Sequence, residues 1–239
     1  MKQKILFMIL AMIVTTTCTI SCSKNDEENA GGSETPTYSP TKHIVKVTHY
    51  NFNYNYTYDN KGRVTHIERD GGYSKQYSYD NNTIIETISD IANWQNTYTL
   101  ENGRIIKVYD GDTKTTDTYS YNNGYLTTET DSKRQIQYEW KDGNLINVDF
   151  GNFNATYEYT NYECPQGFFP FGHNAHICEN WGMSGYLGKT MKNLPSKYTE
   201  YDVVETYDWT VKDGLPIQMI RKIKGGGYNA TSTFTFEWE

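Results

Sequence analysis

Aromatic and polar residues alternate along much of this chain, and the alternation returns at a nearly constant interval. A Tyr-x-Tyr pair leads each repeat, followed by a short turn rich in Asn, Asp and Gly and then by a run of β-branched residues. A fixed period of this length is typical of a stacked array of equivalent units. The leading tyrosines, spaced 21, 21, 21, 19 and 19 residues apart, are Tyr56, Tyr77, Tyr98, Tyr119, Tyr138 and Tyr157.

Each repeat has the pattern of a β-hairpin. Tyr56 and Tyr58 share one face of an extended segment because side chains alternate across a strand. The residues that follow include Asn60 and Gly62, which adopt positive φ at low cost and let the chain reverse. A lone hairpin cannot bury its aromatic face, so the units must join edge to edge.

The repeats predict an all-β fold. We expect an antiparallel up-and-down meander of about 14–15 strands, built from hairpin repeats of about 20 residues. Three late β-runs complete it: Tyr198 to Trp209, Leu215 to Lys224 and Ala230 to Trp238. Because open edges invite pairing with other chains, we expect the sheet to curl into a barrel-like or strongly coiled single sheet.

The amino terminus has the pattern of an export signal. Lys2 and Lys4 precede an apolar run that is too short to span a bilayer. The sequence Thr-Ile-Ser before Cys22 resembles the lipobox of bacterial lipoproteins. We therefore expect residues 1–22 to be a lipoprotein signal peptide with lipid attached at Cys22, which would anchor the chain to a membrane without spanning it.

The mature chain divides into a tether and one domain. Residues 23–40 lack an apolar pattern and predict a disordered tether. Its first residues, Ser-Lys-Asn-Asp-Glu-Glu, resemble the acidic export tag of Bacteroidetes lipoproteins displayed on the outer face of the outer membrane. Residues 41–239 form a single β-repeat domain with one loop and short-helix insertion at 162–196. The net charge of -7 argues against nucleic acid as a partner, because phosphate binding needs clustered Lys and Arg.

The repeat itself supports a family resemblance. Tyr56 to Val64 and Tyr77 to Asp80 are similar to YD repeats, the Tyr-Asp hairpins of bacterial wall and toxin-shell proteins. From about Thr41 to its end, the chain resembles a Bacteroidetes family of secreted lipoproteins of unknown function with a porin-like β fold. This resemblance implies the fold and a location in the cell envelope, and it implies no known activity.

The insertion is where we expect function to concentrate. Cys164 and Cys178 remain after export and predict a disulfide that closes this loop. Long structured loops on a rigid scaffold often carry function. Two interpretations of its rings stay open, a plug that caps one end of the sheet and an exposed platform for a ligand. The candidate ligand-binding residues are Phe168, Phe169, Phe171 and Trp181.

The sequence does not predict an enzyme. Its acidic residues lie at turns, where Asp has a structural role. His173 and His176 have metal-ligand spacing, but a disulfide would remove the nearby Cys178, so we expect no metal and no cofactor. We expect a non-catalytic, outer-membrane-anchored lipoprotein that binds a glycan or a cell-envelope protein through aromatic residues. The alternatives are a purely structural or assembly lipoprotein of the envelope and, third, a glycan-processing enzyme.

Overall fold

The computed structural model describes residues 42–89, 94–168 and 185–239, and these form sixteen β-strands. Tyr, Thr, Ile and Val recur through them because aromatic and β-branched side chains fit a pleated surface. The strands are β1 (Ile44–His49), β2 (Phe52–Tyr58), β3 (Val64–Arg69), β4 (Ser74–Asp80), β5 (Thr83–Ile88), β6 (Gln95–Glu101), β7 (Arg104–Tyr109), β8 (Thr116–Asn122), β9 (Tyr125–Thr130), β10 (Gln135–Lys141), β11 (Asn144–Asp149), β12 (Asn154–Glu163), β13 (Asn193–Glu200), β14 (Val203–Lys212), β15 (Leu215–Gly225) and β16 (Tyr228–Trp238).

The sheet is a closed barrel. Each strand pairs antiparallel with its neighbours in sequence, and β16 pairs with β1. Where these two strands meet, the backbones of His43 and Glu239 exchange two N–H···O bonds of 2.8 Å. The predicted all-β up-and-down meander is confirmed, and closure removes every open edge of the sheet.

The structure has more strands than the repeat predicts. The run from Tyr198 to Trp209 was interpreted as one strand, but a turn at Tyr201-Asp202 divides it between β13 and β14. In addition, β13 begins at Asn193, within the span 162–196 that the sequence assigned to the insertion. The insertion is therefore shorter than predicted.

Connections alternate between the two ends of the barrel. One end, which we call the plug end, carries the start of β1, the turns β6–β7, β8–β9 and β10–β11, and the insertion between β12 and β13. The opposite end, which we call the rim end, carries the turns β1–β2, β13–β14 and β15–β16. The two ends differ in the side chains they expose, as described below.

The leading tyrosine of each repeat points into the barrel at about mid-height. Tyr56 lies opposite Ile67 and Tyr98 lies opposite Val108 on the adjacent strands. Since side chains alternate across a strand, the Thr, Ser, Asn and Lys residues between them point outward. Packed aromatic and aliphatic side chains thus fill the interior, with Ile67, Ile84, Leu145, Met219 and Phe234 at most 1% exposed.

The second aromatic residue of each repeat closes a gap between hairpins at the plug end. The ladder between β3 and β4 stops at His66, short of Val64, and the Tyr79 hydroxyl donates to the Val64 carbonyl at 2.6 Å. Val64 directly precedes a β-bulge of β3 against β2. The described barrel repeats this bond seven times, each time to a carbonyl beside a register shift: Tyr58 to Ile44, Tyr79 to Val64, Tyr121 to Ile105, Trp140 to Leu126, Tyr159 to Leu145, Trp209 to Pro195 and Trp238 to Pro216.

The β5–β6 pair lacks the side-chain hydrogen bond described above, and the reason shows why the other pairs have it. β5 has no bulge against β4, and its ladder with β6 continues to Thr83. Beyond it, the Leu100 N–H donates to the Asn82 carbonyl at 2.8 Å. Leu100 occupies the place of the second aromatic residue and has no polar tip. A side-chain donor is therefore used where the backbone ladder stops, because a buried carbonyl needs a partner.

The described parts of the insertion fill and cover the plug end. Phe168 is 2% exposed, and its ring meets Trp209 and Phe236 edge-on at 5.8 and 5.6 Å between centroids. Tyr186 packs near Tyr79 inside the barrel. At Phe168 and Tyr186 the described parts of the insertion therefore pack into the plug end, and the other rings of the insertion lie outside the described residues.

Backbone hydrogen bonds hold the returning segment, residues 185–192, in place. The Lys189 N–H donates to the Gly124 carbonyl at 2.8 Å, and the Lys192 N–H donates to the Gly143 carbonyl at 2.9 Å. Gly188 is the point of closest approach, because a Cβ on it would lie 2.4 Å from the Gly124 oxygen. The segment is thus tied to two neighbouring turns.

Candidate functional site

The sequence predicts that Phe168 binds a ligand, but in the structure its ring is buried in the barrel interior. It lies beneath the insertion, against the inner faces of β14 and β16. The other predicted ligand-binding residues, Phe169, Phe171 and Trp181, lie outside the described residues, as do Cys22 and Cys178. Their roles stay predictions.

Cys164 marks the point where the insertion leaves β12. It has no disulfide partner among the described residues, and its Sγ donates to the Phe168 carbonyl at 3.0 Å. Burial raises the pKa of this thiol well above its usual value, so the neutral form is favoured. The disulfide with Cys178 stays a prediction, because Cys178 lies outside the described range.

A cavity of about 550 Å³ lies beside the insertion at the plug end. Tyr125, Asp142, Lys189 and Lys192 contribute to its lining, together with several glycines. The Lys189 ammonium lies 5.1 Å from the centre of the Tyr125 ring, within the range of a cation–π contact. The cavity has the size of a small-molecule site and borders the part of the chain in which the sequence places function.

Buried charges inside the barrel are paired with each other. Glu205 is fully buried, and its carboxylate lies 3.0 Å from the Arg221 Nε and accepts a 2.8 Å hydrogen bond from the Tyr207 hydroxyl. Lys75 and Glu86 form a second buried pair at 3.4 Å. Both pairs lie toward the rim end, whereas the interior near the plug end is aromatic and aliphatic. Because each buried charge lies beside a partner of opposite sign, we assign both pairs a structural role.

Titratable side chains near the rim end have shifted pKa values. Burial, with a contribution from the nearby Arg221 guanidinium, lowers the pKa of His49 to about 4, and its ring stacks on Phe234 at 3.9 Å. Burial raises the pKa of Glu129, while the hydrogen bond from the Tyr138 hydroxyl at 2.7 Å opposes the shift. Burial also raises the pKa of Asp117, and the charge of this carboxylate contributes to the raised pKa of Glu129.

The rim end carries most of the exposed aromatic surface. Six large hydrophobic side chains of the described residues are exposed, and all of them are aromatic. One of them, Tyr162, lies on β12 near the plug end. The other five lie at the rim end: Tyr50, Phe52, Tyr109, Tyr201 and Tyr228.

Further rings extend this surface on one side. Phe150 and Phe153 stack at 4.5 Å with an interplanar angle of 16°, and Phe153 meets Tyr201 at 4.7 Å. The Arg134 guanidinium lies 5.7 Å from the centre of the Phe150 ring. Three neighbouring connections at the rim end thus contribute to one aromatic stack.

Two of the exposed tyrosines adopt an unfavourable backbone conformation. Tyr50 and Tyr201 have φ values of 53° and 50°, in the left-handed region. Each is the first residue of a two-residue hairpin turn, a place that Asn, Asp or Gly occupies in the other two-residue turns of the described chain. A bulky side chain there costs on the order of 1 kcal/mol, and such outliers cluster at functional sites. We call the exposed side chains Tyr50, Phe52, Tyr109, Tyr201 and Tyr228 the aromatic rim.

Sequence reasoning missed the aromatic rim because it searched the insertion for exposed rings. The signal was present at Tyr201-Asp202 and Tyr50-Asn51, where tyrosine follows one β-run and precedes another. Tyrosine is a strand former, so these positions were absorbed into the flanking strands. Only the backbone shows that they are turns.

The outer wall of the barrel is polar. Cross-strand ion pairs lie on it, including Lys222–Asp208 and Lys197–Glu158, both at 2.7 Å. In the described residues, no helix has the length and apolar character of a membrane span, and no group of His, Cys, Asp and Glu side chains could hold a metal ion.

Comparison with known proteins agrees with this architecture. The profile of a family described as a domain of unknown function (DUF4595) with porin-like fold matches residues 66–218. A porin-like protein from Bacteroides uniformis ATCC 8492 superposes with a TM-score of 0.62 at 18% identity, covering 86% of this chain and 100% of its own. A porin-like protein from Bacteroides vulgatus ATCC 8482 gives 0.53 at 12% identity, covering 82% and 98%. No curated protein matches the chain.

Proposed function

The chain belongs to the family of domains of unknown function with porin-like fold (DUF4595), and we propose that it is a non-catalytic binding module of the cell envelope. In this proposal a lipid on Cys22 anchors the chain to the outer membrane, the domain is exposed on the cell surface, and the aromatic rim contacts the ligand. The ligand is a glycan or a protein of the envelope.

The concentration of exposed rings at one end of the barrel carries this proposal. The described interior is filled by aromatic and aliphatic side chains and by paired buried charges. Of the six exposed large hydrophobic side chains in the described chain, five belong to the aromatic rim, and such surfaces mark interaction sites.

The position of the rim also suits a tethered protein. β1 begins at the plug end, so the segment that precedes it joins the barrel there. The rim lies at the other end of the strands. A chain anchored through Cys22 would then be attached at one end and would bind at the other.

The experiment compares two sets of substitutions in the full chain. Replacing Tyr50, Phe52, Tyr109, Tyr201 and Tyr228 by Ser removes the aromatic rim, and Tyr162→Ser is the matched control, since Tyr162 is 48% exposed and lies near the other end. Retention is measured on three separated envelope fractions: carbohydrate, protein and lipid vesicles.

We expect the rim variant to lose retention on the carbohydrate or protein fraction by tenfold or more, and the control to bind as wild type does. Equal retention of the two variants would contradict the proposal. That result would favour the second candidate, a structural lipoprotein whose polar wall and closed ends need no ligand.

The lipid anchor is tested separately by labelling cells with radioactive palmitate. We expect label in the wild-type chain and in Cys18→Ser, and none in Cys22→Ser, because Cys22 follows the lipobox. Protease added to intact cells then reports surface display. Palmitate label that persists in Cys22→Ser would refute lipid attachment at Cys22 and would leave the proposed binding role of the aromatic rim unchanged.

A further inference from the structure

We propose that Tyr201, Tyr228 and Tyr50 form an arc that binds a neutral polysaccharide chain, with its sugar rings stacked on the tyrosine faces. This inference rests on the proposed binding function and names its ligand. The three side chains are 66%, 60% and 65% exposed, and they are the most exposed of the large hydrophobic residues in the described chain.

The three tyrosines lie on consecutive connections of the rim. Tyr201 is in the β13–β14 turn, Tyr228 follows the β15–β16 turn, and Tyr50 is in the β1–β2 turn. The barrel order places β14 beside β15 and β16 beside β1, so these connections are neighbours. Strands lie about 4.8 Å apart, and consecutive connections at one end are therefore about 10 Å apart. The arc thus carries one exposed tyrosine at or beside each of three consecutive connections.

The first two connections of the arc are held against each other. The Gly226 N–H donates to an Asp202 carboxylate oxygen at 3.0 Å. A Cβ on Gly225 would lie 1.5 Å from the Asp202 carbonyl oxygen, so only glycine permits this approach of the two turns. The rings of Tyr201 and Tyr228 are thus carried by turns in fixed relative positions, which lowers the entropy lost on binding.

The backbone at Tyr50 and Tyr201 gives the reason to look for a ligand here. Both residues have positive φ, although Asn or Gly would fit these turns with less strain. Each ring has one aromatic neighbour, His49 at 4.2 Å from Tyr50 and Phe153 at 4.7 Å from Tyr201, yet both side chains remain about two-thirds exposed. A strained residue that stays largely in contact with water points to a functional role.

The form of the arc favours a sugar chain over a protein. A protein interface has a contiguous apolar centre from which water is excluded. The three tyrosines of the arc instead lie on three separate connections, and short polar residues such as Asn51 and Asp202 share their turns. An aromatic face carries partial negative charge and attracts the weakly positive C–H groups of a pyranose ring, while the polar residues can bond its hydroxyl groups. The net charge of -7 disfavours an acidic polysaccharide.

The test uses affinity gel electrophoresis of the full chain through gels that contain dextran, mannan, xylan or a mixed-linkage β-glucan. The variant is Tyr50→Asn/Tyr201→Asn/Tyr228→Asn, and the control is Tyr162→Asn, which removes an exposed tyrosine outside the aromatic rim. We expect at least one polysaccharide to retard the wild-type chain. The triple variant should bind it at least tenfold more weakly, and the control within twofold of wild type.

Thermal unfolding separates binding from folding. We expect the triple variant to melt at or above the wild-type temperature, because Asn tolerates positive φ at two of the three positions. A marked fall in melting temperature would show that the tyrosines are packing residues and would overturn the inference.

The remaining outcomes are also decisive. Retardation equal in the triple variant and the control would refute the arc. If none of the four polysaccharides retards the chain while the full rim variant still loses retention on the protein fraction, the sugar assignment is wrong and the binding function stands. Loss of binding by the triple variant to phosphatidylethanolamine/phosphatidylglycerol vesicles alone would identify a lipid surface instead and would likewise overturn the inference.

Discussion

At the scale of single residues, the second aromatic residue of a repeat contributes a hydrogen-bond donor at the end of its side chain. Tyrosine and tryptophan occupy this place, and both donate to a carbonyl that the backbone ladder leaves without a strand partner. Phenylalanine would fill the same volume without the donor. A buried carbonyl without a partner costs more than a hydrogen bond gains, so the tip is under strong constraint.

Tyr121→Phe tests this role. The Tyr121 hydroxyl donates to the Ile105 carbonyl at 2.6 Å, and its removal should lower the free energy of unfolding by about 1–2 kcal/mol. Urea denaturation followed by circular dichroism measures the change. Tyr109→Phe removes the hydroxyl of a ring that is 40% exposed and should change stability by less than about 0.5 kcal/mol. Similar losses in the two variants would refute the role.

The buried pair of Glu205 and Arg221 makes a second residue-scale prediction. Glu205→Gln keeps the shape but leaves the guanidinium without its counter-charge, which should cost about 3–5 kcal/mol. The control lies on the same two strands: Asp208→Asn breaks the exposed pair with Lys222 and should cost less than about 1 kcal/mol. Urea denaturation measures the loss of unfolding free energy in both variants. Equal losses would show that burial does not determine how much an ion pair contributes to stability.

At the scale of elements, the repeating unit is a hairpin with a bulge on its second strand. The Tyr-x-Tyr period and the Asn-Gly turns predict these hairpins because both depend on local backbone preference. Turns without that chemistry escape prediction, as the Tyr201 turn did, and with it the division of β13 from β14. Closure also escapes prediction, since it depends on the register of β16 against β1 and on no local signal.

The candidate site shows the same limit. The sequence predicts that Phe168 belongs to a ligand site, yet its ring is enclosed by Trp209 and Phe236, which are distant in sequence. Whether a ring is covered depends on which strands surround it. The aromatic rim has no composition that sets it apart, because the same residue type serves in the core.

Gly188 fixes the returning segment of the insertion on the barrel, and Gly188→Ala should loosen it. The added Cβ would lie 2.4 Å from the Gly124 oxygen, which the Lys189 N–H now contacts. We expect faster hydrogen exchange of the Lys189 amide and a loss of more than about 1 kcal/mol in stability. Gly151→Ala is the control, because its φ of 87° matches the 88° of Gly188 and its Cβ would meet nothing within 4 Å. Equal exchange at Lys189 in both variants would contradict this role.

At the scale of the whole molecule, the core is unusual in being built largely from phenol rings. Burial raises the pKa of several interior tyrosines well above the usual value, among them Tyr77, Tyr157 and Tyr207, and raises that of Tyr186 to about 12. In the folded barrel these hydroxyls keep their protons at a pH where an unfolded tyrosine, with a pKa of about 10, has lost its own.

Alkaline pH should therefore unfold the barrel. Because the folded state binds more protons than the unfolded state above about pH 10, stability is complete below that pH and falls as pH rises toward the folded pKa values. We expect tyrosinate absorbance and loss of the β-sheet circular dichroism signal to rise together between about pH 10 and 12. Complete ionisation with an unchanged circular dichroism signal would contradict this prediction.

The pairing of the first strand with the last has a topological consequence. β16 and β1 pair with a register shift like those of the internal hairpins, and Trp238 of β16 donates to Pro216 of β15 as the second aromatic residues of the internal hairpins do. The ring is therefore built from similar hairpins, and the position of the break between its ends is arbitrary. A circularly permuted chain, with a short linker from Glu239 to Lys42 and new termini in the Asp213-Gly214 turn, has the information to form the same barrel. It also follows that the barrel cannot close during synthesis until its last strand, β16, has been made.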